Sequence, residues 1–273
     1  MPNEANSLIV EKSHNTSTAV ARLSAADAAP NPRLEISDVT IGSVMQLFID
    51  TANVQEIRTA ASWGILDGVT TNPTHIFKSG RQFEEVLQEI FSIVDGPISV
   101  ETVSLEASAI VNEGRAIARF HRNAVVKVPV IVEGLKAVKQ LSSESIPTNV
   151  TLCFNALQAY LAAKAGATYI SPFIHRKEEA GQDGMEMIKE IREIYDRYGY
   201  KTKILAASIR TSREVLECLR AGADVCTMPF NIMESLYKHS MTDAGLKMFL
   251  DDWSKVPPVK LFARAQEAAP VGR

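Results

Sequence analysis

The stretch Ala156-Leu157-Gln158-Ala159-Tyr160-Leu161-Ala162-Ala163-Lys164-Ala165-Gly166-Ala167-Thr168-Tyr169-Ile170-Ser171 decides the fold. Its first ten residues form an alanine-rich helical run, and its last three are an apolar run of strand length. Gly166 stands between them, where a helix end wants a left-handed residue. The same junction recurs at Ala221-Gly222-Ala223, between the helical segment 212–221 and the apolar run Val225 to Met228. A junction repeated in this form is the helix-to-strand turn of a βα unit.

Working outward, strand-length runs alternate with helical periods from Met45 to Ser254. The expected strands are 46–49, 68–70, 98–100, 125–128, 148–152, 169–171, 203–206 and 225–228. The expected helices are 54–63, 82–94, 105–120, 134–141, 156–165, 184–198, 212–221 and 232–238, with a ninth over 242–253. Thr211-Ser212 ahead of Glu214 gives one helix a cap and an acidic first turn. Strict alternation implies parallel strands joined by right-handed crossovers, and eight units close into a (β/α)8 TIM barrel. The rival, an open doubly wound sheet, lacks a G-x-G-x-x-G after its first strand.

Composition agrees with one such domain. The chain has 273 residues, 46% apolar and 22% charged, and a barrel of about 250 residues would nearly fill it. Net charge is −3, so no nucleic-acid partner is expected. No window approaches the roughly 18 unbroken apolar residues of a membrane span. Cys153, Cys218 and Cys226 are too few and scattered for a zinc ribbon or redox pair, and they point to a reducing, cytoplasmic compartment. His14, His75, His121, His175 and His239 show no metal-ligand spacing, so neither metal nor cofactor is expected. Residues 1–44 are rich in Ala, Ser, Asn and Pro and read as a flexible N-terminal extension. Their Leu8-Ile9-Val10 cluster is too short for a secretory segment, and their acidic residues argue against a transit peptide. Residues 45–254 are the expected barrel with its additional C-terminal helix, and 255–273 a loosely ordered tail.

Barrel chemistry collects at the C-terminal ends of the strands. There the runs end in Asp50; in Thr70-Thr71-Asn72-Pro73; in Glu101; in Lys127 within Val125-Val126-Lys127-Val128-Pro129; in Asn149, Thr151 and Asn155; in Ser171-Pro172-Phe173 with Arg176; in Ser208 and Arg210; and in Met228-Pro229. A lysine inside an apolar strand loses hydration, which disfavours its charged form, and a neutral amine attacks carbonyls to form imines. A lysine at such a place also reaches the rim for solvent or pairs with Asp50 or Glu101 for structure. Two carboxylates, two hydroxyls and two amides around it exceed what a structural ion pair needs. Asp50 and Glu101 suit acid–base work beside an imine, or charge balance around Lys127. Arg176 and Arg210, after successive strands, suit a terminal phosphate, or are ordinary surface arginines.

These residues resemble the small transaldolase family, which includes the fructose-6-phosphate aldolase-like enzymes. The resemblance rests on Asp50-Thr51-Ala52, Gly68-Val69-Thr70-Thr71-Asn72-Pro73, Val126-Lys127-Val128-Pro129 and Thr148-Asn149-Val150-Thr151-Leu152. Ser171-Pro172-Phe173 with Arg176 and Ala206-Ala207-Ser208-Ile209-Arg210 complete it, in order, from about Met45 to Trp253. It implies a metal-free class I aldolase-type barrel with Lys127 as the Schiff-base lysine. Asp50 matches the acid/base for the C4 hydroxyl, and Glu101 matches the carboxylate that works through a water positioned with Thr151. Thr71, Asn72, Asn149, Ser171 and Phe173 fall on substrate-binding positions, and Arg176, Ser208 and Arg210 on those for phosphate. The family also implies a homo-oligomer, pentamer or decamer, in which the C-terminal helix reaches over a neighbour.

Within the family, Glu101 and Phe173 match transaldolases, where the aldolases carry Gln and Tyr. The expected activity is therefore transfer of dihydroxyacetone between sugar phosphates, as in the pentose phosphate pathway. The competing activities are release of free dihydroxyacetone, transfer from a modified sugar, and sugar-phosphate binding without turnover. Ile131, Asn155 and His175 stand where Thr, Ser and Gly are common, and His175 flanks the anion end.

Overall fold

The computed structural model of the chain describes residues 44–257. The expected extension over 1–44 and tail over 255–273 lie outside the described residues, apart from Val44 and 255–257. Eight strands close into one parallel barrel in chain order: β1 (Gln46–Asp50), β2 (Gly68–Thr70), β3 (Ile98–Glu101), β4 (Ala124–Pro129), β5 (Thr148–Cys153), β6 (Tyr169–Pro172), β7 (Lys203–Ala206) and β8 (Val225–Met228). Around them run α1 (Val54–Ser62), α2 (Pro73–Ser79), α3 (Phe83–Ile93), α4 (Ala107–Phe120), α5 (Val132–Ser143), α6 (Ala156–Ala165), α7 (Ile174–Glu179), α8 (Gly184–Tyr198), α9 (Ser212–Arg220), α10 (Phe230–Ser235) and α11 (Ser240–Trp253). All eight expected strands and nine expected helices are present, most with ends shifted by a residue or two.

Alternation along each strand divides the core in two. Ile49, Val69, Val100, Val126, Val150, Ile170, Ile204 and Met228 face the helices and join one large apolar cluster. Phe48, Val125, Tyr169, Leu205 and Val225 form a separate cluster that plugs the barrel interior. Phe48 needs Gly68 beside it, because a Cβ on Gly68 would lie 2.6 Å from the Phe48 ring. One pleat further along the same strands stand Asp50, Lys127, Ser171 and Thr227. The plug is thus the apolar floor beneath a polar storey.

Local chemistry fixes the boundaries. Gly166 ends α6 at φ +96°, and Thr211 with Glu214 forms a complete capping box on α9. Asn155 caps α6 by accepting from the Gln158 N–H, as a serine would. Ile131 at the start of α5 offers no such bond.

Two short helices, α2 and α7, go beyond the sequence expectation. At six and seven residues neither is long enough to show a helical period. The start of α2 does carry a signal, with Asn72 as cap and Pro73 in the first turn; the N-cap of α7 is Phe173, which offers no side-chain bond. Both continue the segments after β2 and β6 that carry expected site residues. At the chain's other end, α11 buries no residue, and its Leu246, Met248, Phe249, Leu250 and Trp253 are exposed.

Candidate active site

Strand register places the centre. Lys127 on β4 is level with Glu101 on β3 and with Asn149 on β5. Its side chain is 7% exposed, and Nζ lies 3.1 Å from Glu101 Oε2. Nζ also donates to the backbone carbonyl of Thr71 at 3.0 Å. Lys127 therefore does not reach out to bulk solvent, which removes one of its structural alternatives.

Asp50 closes β1 on the other side of the storey. Its Oδ1 accepts from the Thr70 hydroxyl at 2.8 Å, and Thr70 in turn touches the Thr227 hydroxyl at 2.7 Å. Its Oδ2 lies 3.4 Å from His75 Nε2. Burial pushes the Asp50 carboxyl up, but the His75 contact, the charge of Lys127 and the Thr70 bond outweigh it. The net effect holds Asp50 below the usual carboxylate range, so it is ionised at neutral pH.

Beside Lys127 runs a buried chain of polar groups. Ser171 Oγ donates to Asn149 Oδ1 at 2.7 Å, and Asn149 Nδ2 donates to Ser99 Oγ at 3.1 Å. The Thr71 hydroxyl donates to the Ser99 carbonyl at 2.8 Å. Thr151 is also buried, yet its hydroxyl has no hydrogen-bond partner among the described residues. The following Leu152 is left-handed at φ +60°, where the β5–β6 register shifts. Such a conformation is a genuine outlier for leucine and bends the strand just after Thr151.

The arginine-bearing end of the site is built from α7 and the segment after β7. Arg176 lies over the Phe173 ring at 5.8 Å. Ser208 is left-handed at φ +60°, and its carbonyl accepts from the His175 N–H. Glu214 accepts from the Arg210 N–H at 2.6 Å, from the Thr211 N–H at 2.9 Å, and contacts His175 Nδ1 at 2.8 Å. Burial pushes the Glu214 carboxyl up, but these three contacts bring it below the usual range. One buried carboxylate thus ties the Arg176 helix to the Arg210 turn. His175, Glu178 and Glu214 also place ligand-type atoms within 4.8 Å of one another, but the Glu214 oxygens are already engaged as described.

These groups open into one cavity of about 490 Å³. Ten of the twelve residues expected from the sequence line it: Asp50, Asn72, Glu101, Lys127, Thr151, Ser171, Phe173, Arg176, Ser208 and Arg210. The structure does not bring Thr71 and Asn149 to its wall; both are buried behind it, Thr71 offering its carbonyl to Lys127. His75, Thr70, Thr227 and Leu152, to which the sequence reading gave no role, also line the cavity. His75 had a signal, since it falls in the first turn after Asn72-Pro73. Thr70 and Leu152 stood inside the quoted motifs, and Thr227 had no signal. A wider groove of about 920 Å³ adjoins this cavity at Asp50, His75 and Pro229 but contains neither Lys127 nor the paired arginines.

A buried lysine paired with one carboxylate, in a cavity that a second carboxylate and two arginines also line, marks a lysine-centred (β/α)8 enzyme barrel. The chain belongs to the transaldolase/fructose-6-phosphate aldolase family, whose profile matches residues 47–265. A probable transaldolase of Hydrogenobaculum sp. is 57% identical over 213 residues, covering 78% of this chain and 98% of the relative. One from Aquifex aeolicus is 57% identical over the same shares. One from Myxococcus xanthus is 56% identical over 214 residues, 78% of this chain and 96% of the relative.

Proposed function

We propose that this chain, a transaldolase by its family and its relatives, moves a dihydroxyacetone unit through an imine on Lys127. As a transferase of carbohydrate metabolism it handles sugar phosphates. The proposed donor is fructose 6-phosphate or sedoheptulose 7-phosphate, and the proposed acceptor is an aldose phosphate such as erythrose 4-phosphate.

Lys127 Nζ attacks the C2 carbonyl, and Glu101 at 3.1 Å takes the proton that the amine must shed. The carbinolamine hydroxyl leaves as water, served by Glu101 and by the Thr151 hydroxyl. Asp50 then takes the C4 hydroxyl proton as the C3–C4 bond breaks. The bonding pair passes into the imine to give an enamine, and the aldose phosphate leaves. When the acceptor aldehyde enters, the enamine carbon attacks it and Asp50 returns its proton to the new hydroxyl. A carboxyl held below its usual range is ionised before cleavage and gives the proton back readily. Hydrolysis by the same Glu101 and Thr151 then frees the ketose. Asn72 and Ser171 hold the dihydroxyacetone hydroxyls, with Asn149 steadying Ser171 from behind. Arg176, Ser208 and Arg210 hold the phosphate.

The observation that carries this proposal is the buried Lys127 beside Glu101. The catalytic unit is residues 45–254, at work in the cytoplasm; all three cysteines are free thiols, as a reducing compartment allows. Among the described residues no helix is long and apolar enough to cross a membrane. The exposed apolar side chains of α11 support a homo-oligomer, pentameric or decameric, in which that helix covers a neighbour.

The test is glyceraldehyde 3-phosphate release from fructose 6-phosphate, with and without erythrose 4-phosphate. Release that depends on the acceptor is the expected result. Equal release without acceptor would make the chain a free aldolase, the reading that Glu101 and Phe173 disfavour.

A further inference from the structure

His75 stands, with Asp50 and Pro229, where the imine cavity meets the adjoining groove. Its ring lies 3.4 Å from the Asp50 carboxylate, opposite the oxygen that Thr70 already holds. The residue is fixed from below, because its backbone N–H donates to the Asn72 side chain and carbonyl, both at 3.0 Å. Its side chain is 25% exposed, at the edge of the cavity. Structure alone does not require a histidine here. Asn72 caps α2 and Pro73 starts it, while Thr70 orients Asp50.

We propose that His75 is a positioning residue for the aldol step, orienting the Asp50 carboxylate and setting by its own charge how strongly Asp50 draws the sugar's C4 hydroxyl proton. The proposal rests on the role given to Asp50 above. An imidazolium beside the carboxylate weakens it as a base, and neutral imidazole lets it pull harder. No proton passes through the ring. The C4 proton stays on Asp50 until the new C3–C4 bond forms and the new hydroxyl receives it. Asp50 from β1 contacts His75, and Glu56 and Arg58 from α1 and Arg81 with Glu89 of α3 are the charged groups that line the same groove. Lys127 and Glu101 share the cavity with it. Because Asp50 stays ionised at neutral pH, the effect falls on its strength as a base rather than on the fraction that is charged.

The experiment measures kcat and KM for the transfer from fructose 6-phosphate to erythrose 4-phosphate between about pH 5.5 and 8, the range in which histidines titrate. It compares the parent protein, His75→Gln, which keeps a donor without a titrating charge, and His75→Leu, which loses both. The parent kcat should rise roughly threefold to tenfold across the range beyond any change in His75→Gln. His75→Leu should be as flat as His75→Gln and slower, with KM within about twofold of the parent in both. Substrate phosphate titrates alike in all three, so the difference between proteins is the readout. An undiminished rise in His75→Gln would overturn the proposal, as would equal changes in KM and kcat. Should His75→Leu fail to fold, His75→Gln decides alone. Asp50→Asn, measured alongside, should lose at least about a hundredfold in kcat. Full activity in Asp50→Asn would overturn the role of Asp50 itself. An inactive Asp50→Asn beside a parent-like His75→Gln would overturn only that of His75.

Discussion

Replacing Thr151 by valine should raise stability and lower turnover together. The hydroxyl is buried and has no partner among the described residues, whereas the methyl groups of the two side chains occupy nearly the same space. A buried hydroxyl without a partner costs about 1–3 kcal/mol, and some of that is returned in refitting the added methyl. A net gain of about 1 kcal/mol follows, or roughly 2–4 °C in Tm for a chain of this size. Thr148 is the control. It is equally buried and its hydroxyl equally unpartnered, but it is level with Val126 and faces the helices. Thr148→Val should show the same gain with turnover unchanged. Thr151→Val should lose about a hundredfold in kcat, or roughly 2.7 kcal/mol in the barrier, if the hydroxyl serves imine formation and hydrolysis. Thermal unfolding and the coupled transfer assay read the two quantities. Lower stability with full turnover in Thr151→Val would refute the reasoning, because the hydroxyl would then be a structural bond.

Lys127→Met should abolish transfer and prevent any borohydride-trapped adduct with fructose 6-phosphate; mass spectrometry of the trapped protein decides. Ile131→Thr should stabilise the chain by about 1 kcal/mol, since position 131 has cap geometry at α5 and lacks only the side-chain oxygen; thermal melts measure it. Glu214 has a folded pKa below its unfolded one, so its stabilisation is complete above the unfolded value, about 4.3, and is lost as pH falls through the folded value. Glu214→Gln should therefore be less stable than the parent by about 1–2 kcal/mol at neutral pH, with the gap narrowing below about pH 4 in urea titrations.

Much of the barrel was legible because its signals are local. Ala165-Gly166-Ala167 marks a turn whose cap conformation only glycine meets easily, and the short apolar run directly after it is of strand length. Lys127 was legible for the opposite reason, as a charge that breaks an apolar run. The short helices α2 and α7 were not, because six or seven residues complete fewer than two turns. The placement of Thr71 and Asn149 was not legible either. Which residue of a motif lines a cavity depends on strand tilt and register, and both side chains found partners behind the wall.

By itself the sequence determined the eight-fold alternation, the direction of the strands and the end of the barrel where chemistry gathers. Those follow from periodicity, capping and the handedness of a single βα unit. Only closure of the barrel decided which distant side chains meet. Asp50 touches Thr70 across 20 positions, and Thr70 touches Thr227 across 157. Lys127 meets the Thr71 carbonyl, and His175 reaches Glu214. Contacts of this kind depend on the joining of β1 to β8 and on the shared register of neighbouring strands, neither of which any local stretch of residues encodes.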